Sequence, residues 1–189
     1  LHDAFGIKRI IYSTYQAVSG AGKQGLSDLA DGEKGLPPKK FPYQISHNII
    51  PHIDVFTADG YTKEEIKMIE ETRKILGAPD MRITATTARV PVYYGHSESI
   101  NVEFDKPVTR EAAIKVLSAA KGVIVRDDVA NNVYPMPIDA EGHDEVFVGR
   151  IRKDNSVENG LNLWVVADNI RKGAASNAVQ IAELLNSRG

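Results

Sequence analysis

Arg89-Val90-Pro91-Val92-Tyr93-Tyr94-Gly95-His96-Ser97-Glu98-Ser99 gathers the chemically capable side chains of this chain into eleven positions. A guanidinium is a permanent cation shaped to hold a carboxylate or phosphate through two parallel hydrogen bonds, and an imidazole exchanges its proton near neutral pH. Gly95 supplies the backbone freedom for a sharp exit from a strand, so the stretch predicts an imidazole held at a strand end, where loops display reactive groups. Each residue also has an ordinary role: strand arginines are commonly ion-paired at the surface, and loop histidines are commonly solvated. Together they form a candidate site.

Other side chains invite the same weighing. Glu64 and Lys67 stand three apart on a helix, either as a plain intrahelical ion pair or as an anion and a cation aimed at a zwitterionic ligand. Gln16-Ala17-Val18-Ser19-Gly20-Ala21-Gly22 reads as a flexible glycine loop that lets a ligand approach the backbone. It is no phosphate loop, because Gln24 follows Gly22-Lys23 and no glycine stands five residues before Gly22. His47 and His52 lack the spacing and the third ligand of a metal site, so no metal is expected. Gly95-His96-Ser97-Glu98-Ser99 approaches a serine-hydrolase elbow at Ser97, but serine replaces the last glycine and a strand follows where a helix should.

Composition narrows the classes. With 189 residues and 42% hydrophobic content, the chain can bury one substantial core, which favours a single domain. A net charge of −2 and a pI near 6.2 leave no footprint for nucleic acid or an anionic membrane. No apolar run reaches the length of a membrane span and no signal pattern opens the chain, so a soluble, cytoplasmic protein is expected. The absence of cysteine excludes disulfides, thiolate metal sites and a cysteine nucleophile within these residues.

These groups need a scaffold. Leu1 to Gly6 reads as the last turn of a helix closed by a left-handed glycine, as though the chain begins mid-element. Strands are expected at Ile7–Tyr15, Ile83–Arg89, Ser99–Phe104, Val146–Arg152 and Leu161–Ala167, the last two as an antiparallel hairpin, with a short buried strand at Val123–Val125. Thr62-Lys63-Glu64-Glu65 is a capping box opening a helix to about Leu76, with Ile66, Ile69 and Leu76 inward. Thr109 caps a second helix to Ala120, with Ala112, Ala113, Val116 and Leu117 inward. Residues 30–43, the segment Ser46–Asp54 and residues 126–144 read as irregular connections. Gly173–Leu185 forms a helix whose first turns are small residues.

Ser13-Thr14-Tyr15-Gln16-Ala17-Val18-Ser19-Gly20-Ala21-Gly22, Ile83-Thr84-Ala85-Thr86, Arg89-Val90-Pro91-Val92, Gly95-His96-Ser97-Glu98-Ser99 and Asp168-Asn169-Ile170-Arg171-Lys172-Gly173-Ala174-Ala175 resemble, in order, the second half of aspartate-semialdehyde dehydrogenases. One departure is Thr87-Ala88, where many relatives carry Cys-Val. The resemblance implies an α+β domain over residues 1–189, with a mixed, largely antiparallel sheet and helices on one face, serving substrate binding and dimerisation. It places residues 168–189 against an N-terminal dinucleotide-binding domain that lies outside the chain, as does the nucleophilic cysteine. The implied reaction interconverts aspartate semialdehyde, phosphate and NADP with aspartyl phosphate and NADPH through a cysteine thioester, in lysine, threonine and methionine biosynthesis.

In that scheme His96 is the acid–base group, Arg89 clamps the substrate carboxylate and Glu64 meets its ammonium. Gln16 orients the substrate and Lys67 attends the phosphate. Ser19, Gly20 and Asn177 reach the cofactor. The resemblance implies a homodimer or tetramer, and a chain that is inactive by itself. A non-catalytic assembly module is the other reading, and the residues choose neither between NADP and NAD nor between oligomer sizes.

Overall fold

The computed structural model describes residues 1–187. Its framework is a six-stranded sheet in the order β2-β1-β3-β6-β5-β4, formed by β1 (Ile7–Gln16), β2 (Arg82–Arg89), β3 (His96–Phe104), β4 (Val123–Val125), β5 (Val146–Lys153) and β6 (Gly160–Ala167). The pairs β1/β3, β3/β6 and β5/β6 are antiparallel, while β1/β2 and β4/β5 are parallel. A mixed, largely antiparallel sheet is therefore what forms. The β5–β6 hairpin is present as expected. β4, expected to be buried, is a sheet-edge strand with Ile124 exposed.

Alternation decides the faces. Ile10 and Tyr12 of β1, Ile100 and Val102 of β3, and Leu161 and Leu163 of β6 join one cluster with Leu76 of helix α3 (Lys63–Leu76) and Ala113, Ile114 and Leu117 of helix α4 (Arg110–Ser118). Ile114, and not the expected Val116, completes the inward stripe of α4. Phe5, from the single-turn helix α1 (His2–Phe5), packs edge-on to Phe104 at 6.0 Å. Gly6 closes that turn with φ 68 but ψ 110, so the expected left-handed cap is met only in φ. The short helix α5 (Pro137–Ala140) lies on the other face, where Ala140 meets Phe147 and Val166.

α3 starts as its capping box dictates. Thr62 Oγ1 accepts from Glu65 N–H, and the Glu65 carboxylate accepts from Thr62 N–H at 2.8 Å. Glu65 does more than its local role, because its other oxygen accepts from Thr87 N–H at 3.0 Å. That donor lies on the edge strand β2, whose sheet partner is β1 and whose last residue, Arg89, is bridged by Ile50, so a buried carboxylate ties helix to sheet edge.

One helix fills the stretch between the glycine loop read as far as Gly22 and the connection read from residue 30. Gly22–Gly32 forms α2, packed through Leu29 on Val18, Ile45 and Ile50 in a satellite core beyond the sheet end. Three of its eleven residues are glycine, which weakens intrinsic helicity, so residue types alone do not mark the helix. Tertiary packing reverses that preference: a Cβ at Gly25 would collide with the Val18 carbonyl oxygen. The excursion 126–144 is also more ordered than expected. Asp127 accepts from Arg150 N–H, Ile151 N–H and Arg110 Nη2, bracing a β5 bulge at which Arg150 adopts φ 51.

Candidate active site

Three strands end together at one edge of the helix-bearing face. Gln16 pairs with Arg89 across the parallel β1/β2 register, and His96 opens β3 beside the end of β1. His96 is thus the first residue of its strand. Gly95, at φ 85, turns the chain into it.

Ala17 organises the two principal side chains through its own backbone. Its N–H donates to His96 Nδ1 at 3.1 Å, and its carbonyl accepts from Arg89 Nη1 at 2.7 Å. With Nδ1 an acceptor, the neutral imidazole carries its proton on Nε2. Gly20 lies over both groups: a Cβ there would stand 2.9 Å from Arg89 Nη1 and 3.3 Å from His96 Nε2. The glycine keeps that approach open.

Arg89 is only 6% exposed, yet among the described residues no carboxylate comes within ion-pair distance of it. Burial depresses its pKa, and the nearby Glu64 charge partly opposes this. A buried cation without a contacting anion is costly, and it is the usual signature of a group kept for a ligand. Glu64 itself accepts from Gln16 Nε2 at 3.1 Å and faces Lys67 at 3.8 Å. The plain ion pair of that spacing is present, and its carboxylate also reaches Gln16 at the strand end.

Not every expected residue converges. Ser19 is buried and its hydroxyl is engaged with Asn169, so it presents nothing outward. Asn177 sits on α6 (Ser176–Asn186), with its side-chain oxygen accepting from Lys172 Nζ at 3.3 Å, and joins a cavity beside Lys121 and Asp144 away from the strand ends. Ser97 points to the face opposite His96 inside β3, which removes the hydrolase elbow. Asn169 was missed. Its Oδ1 accepts from Gly95 N–H at 3.0 Å and from Ser19 Oγ, linking the turn before His96 to the loop above it. Its sequence signals are its place in the Asp168-Asn169 motif and its position directly after the Asp168 that caps the following turn.

Matching comparisons identify the scaffold. The sequence model described as "Semialdehyde dehydrogenase, dimerisation domain" covers residues 1–172. The chain belongs to this family. An aspartate-semialdehyde dehydrogenase of Aquifex aeolicus is 58% identical over the whole of this chain, which covers 58% of that protein. One from Bacillus subtilis is 47% identical over 98% of the chain and 58% of its own length. Among solved structures, aspartate semialdehyde dehydrogenase II of Vibrio cholerae complexed with ASA superposes with a TM-score of 0.93 at 48% identity, covering 98% of this chain and 56% of that one. The Candida albicans enzyme with NADP gives 0.72 at 26% identity, covering 98% and 52%. The chain therefore spans little more than half the length of the proteins it matches.

Two opposing titrations stand on β3. Burial, reinforced by the Arg89 charge and partly offset by Asp168, lowers the His96 pKa from 6.5 to about 4. Burial raises that of Glu98, between Thr14 and Val165, from 4.5 to about 7. Between these limits the unfolded chain protonates His96 while the folded chain does not, so this contribution to stability grows as pH rises. Glu98 does the reverse, since the folded state keeps a proton that the unfolded state releases. From pH 4.5 to 6.5 the two slopes, each at most about 1.4 kcal/mol per pH unit, oppose one another. Urea midpoints of Glu98→Gln should rise with pH more steeply than those of the parent, and His96→Asn should shift the slope the other way. Parallel profiles for all three would disprove the assignment.

Proposed function

We propose that this domain is the substrate-binding half of an aspartate-semialdehyde dehydrogenase, whose cysteine nucleophile and dinucleotide-binding domain lie upstream in the full-length protein. The observation that carries the reading is the buried Arg89 with no carboxylate in contact, beside a Glu64–Gln16 pair. An α-amino acid offers the complementary ends: its carboxylate to the guanidinium, its ammonium to Glu64, with the Gln16 amide orienting the chain between them.

His96 then addresses the aldehyde oxygen. In the tautomer held by Ala17 it presents an Nε2 proton, suited to stabilise oxygen-centred negative charge as the carbonyl is attacked. Lys67, exposed and tethered to Glu64, supplies a mobile point charge for phosphate. NADP, the hydride carrier of this chemistry, is assigned mainly to the N-terminal domain. Within this chain Gly20 fits its approach, because the glycine leaves the His96–Arg89 pocket open, whereas Ser19 and Asn177 are already engaged.

The remaining surfaces support the same assembly. Val179, Ile181, Leu184 and Leu185 of α6 are exposed, and we assign the stretch from residue 168 as the element that packs on the dinucleotide-binding domain, with residues 188–189 outside the described part. The family is a dimerisation domain, and a homodimer is the assembly proposed. Sedimentation of the chain should show twice the 20.7 kDa mass; a monomer at all concentrations would oppose it. Among the described residues no helix is long and apolar enough to cross a membrane.

The chain alone should show no aspartate-semialdehyde-dependent NADPH formation, and the full-length protein should show it. In the full-length protein Glu64→Gln should raise KM by about tenfold or more through loss of a charge-assisted contact to the ammonium. An unchanged KM would remove Glu64 from the site.

A further inference from the structure

Glu64 and Arg89 reach the strand-end site from different elements, the first from the opening turn of α3 and the second from the last position of β2. An α-amino acid carries its ammonium and its carboxylate on one carbon, so the two side chains can serve it together only at one spacing. Helix and strand must be locked to each other at this end. A misplacement of about 1 Å in such a constellation can cost about two orders of magnitude in rate.

Glu65 is built as that lock. Its buried carboxylate gives one oxygen to Thr62 N–H at 2.8 Å, where α3 begins, and the other to Thr87 N–H at 3.0 Å on β2. A helix cap needs only the first. Glu65 is the residue beside Glu64, and Thr87 stands two residues, about 6.6 Å, before Arg89 on the same strand. The Arg89 backbone is fixed independently, exchanging hydrogen bonds with Ile50 at 2.8 and 3.0 Å. The far end of α3 is also held separately, by Leu76 in the sheet cluster and by Arg73 Nε donating to Met81 O at 3.0 Å. Near the first turn the other polar link to β2 is a neutral one, between the Tyr61 and Thr84 hydroxyls at 3.1 Å.

We infer that Glu65 is a positioning residue that sets the distance between Glu64 and Arg89 and thereby selects substrates bearing an ammonium beside their carboxylate. This rests on the roles proposed above for Glu64 and Arg89. Glu65 itself touches no substrate.

The test assays the full-length protein with aspartate semialdehyde and with 4-oxobutanoate, the same aldehyde without its ammonium. Glu65→Ala should lower kcat/KM by about tenfold or more for the first and by no more than about twofold for the second, so the preference for the ammonium collapses. Glu65→Gln keeps one acceptor oxygen and should fall between Glu65→Ala and the parent; it decides the matter if the alanine variant does not fold. Thr62→Ala controls for a purely structural effect, because it removes the bond from Glu65 N–H to Thr62 Oγ1 but leaves the backbone donor to the carboxylate. It should lower Tm and leave the preference unchanged. In the chain alone, hydrogen exchange of the Thr87 amide should quicken in both Glu65 variants and not in Thr62→Ala. Equal losses for the two substrates, an equal collapse in Thr62→Ala, or unaltered Thr87 exchange would overturn the proposal. If Glu64→Gln leaves the preference intact, the proposed function fails; if Glu64→Gln abolishes it and the Glu65 variants do not, only the role of Glu65 fails.

Discussion

Arg89→Lys is expected to lower kcat/KM of the full-length protein for its amino-acid substrate by about two to four orders of magnitude, roughly 3–5 kcal/mol. The reason is geometric as well as electrostatic. The guanidinium is held by Ala17 O on one nitrogen and by the Phe41 ring beside it, which leaves the rest of its planar fork free for two parallel bonds to a carboxylate. An ammonium on a flexible stem cannot reproduce that fork. The loss should appear with a substrate analogue lacking the carboxylate already impaired in the parent and little changed further by the substitution.

Stability should respond in the opposite sense. A residue kept for folding is missed when removed, whereas Arg89 is a desolvated cation without a contacting carboxylate, and its depressed pKa records that burial disfavours the charge. Arg89→Met is therefore expected to leave the thermal midpoint of the chain unchanged or higher while abolishing substrate capture. A clear fall in the midpoint with retained affinity would make Arg89 a structural residue and would end the proposed function.

Asp28→Ala should cause the largest stability loss, about 3–5 kcal/mol, or on the order of 10 °C in Tm. Asp28 is 2% exposed and its carboxylate accepts three consecutive backbone N–H groups, Lys39 at 2.8 Å, Lys40 at 2.7 Å and Phe41 at 2.9 Å. Removing it strands those donors. Burial by itself would raise its pKa, but the three backbone hydrogen bonds prevail and hold the carboxyl below its usual value of 3.8. With a depressed folded-state pKa, this contribution is complete above pH 3.8 and fades as the pH falls through the folded value. Asp28→Asn should keep one acceptor, lose about half as much stability, and lack that acid-dependent component. Thermal melts of the parent and both variants across the acid range check all three expectations. Because the same three amides carry Phe41 to the Arg89 guanidinium, Asp28→Ala should also weaken carboxylate binding.

What proved legible was local. The α3 capping box, the alternating strands, the β5–β6 hairpin and the pairing of Glu64 with Lys67 all arise from contacts within a few residues, so residue type and spacing suffice to state them. Arg89 and His96 could be selected as the chemically capable pair, but not aimed. Their convergence depends on the parallel register that sets Gln16 beside Arg89 and on the antiparallel register that brings β3 alongside β1, pairings between residues 73 or more positions apart that no local pattern encodes.

Residue type and spacing were enough for the family, most element types and the groups available for chemistry. The tertiary structure decided that α2 is a helix despite its glycines, that Asn169 joins the site while Asn177 does not, and that Ser97 points away from His96. It also decided that one backbone residue, Ala17, serves both the imidazole and the guanidinium. The physical reason is common to all four. Close approach of backbones, the parity of a strand and the partner of a buried polar group are set by segments distant in the chain, and only the packed core brings those segments within hydrogen-bonding range.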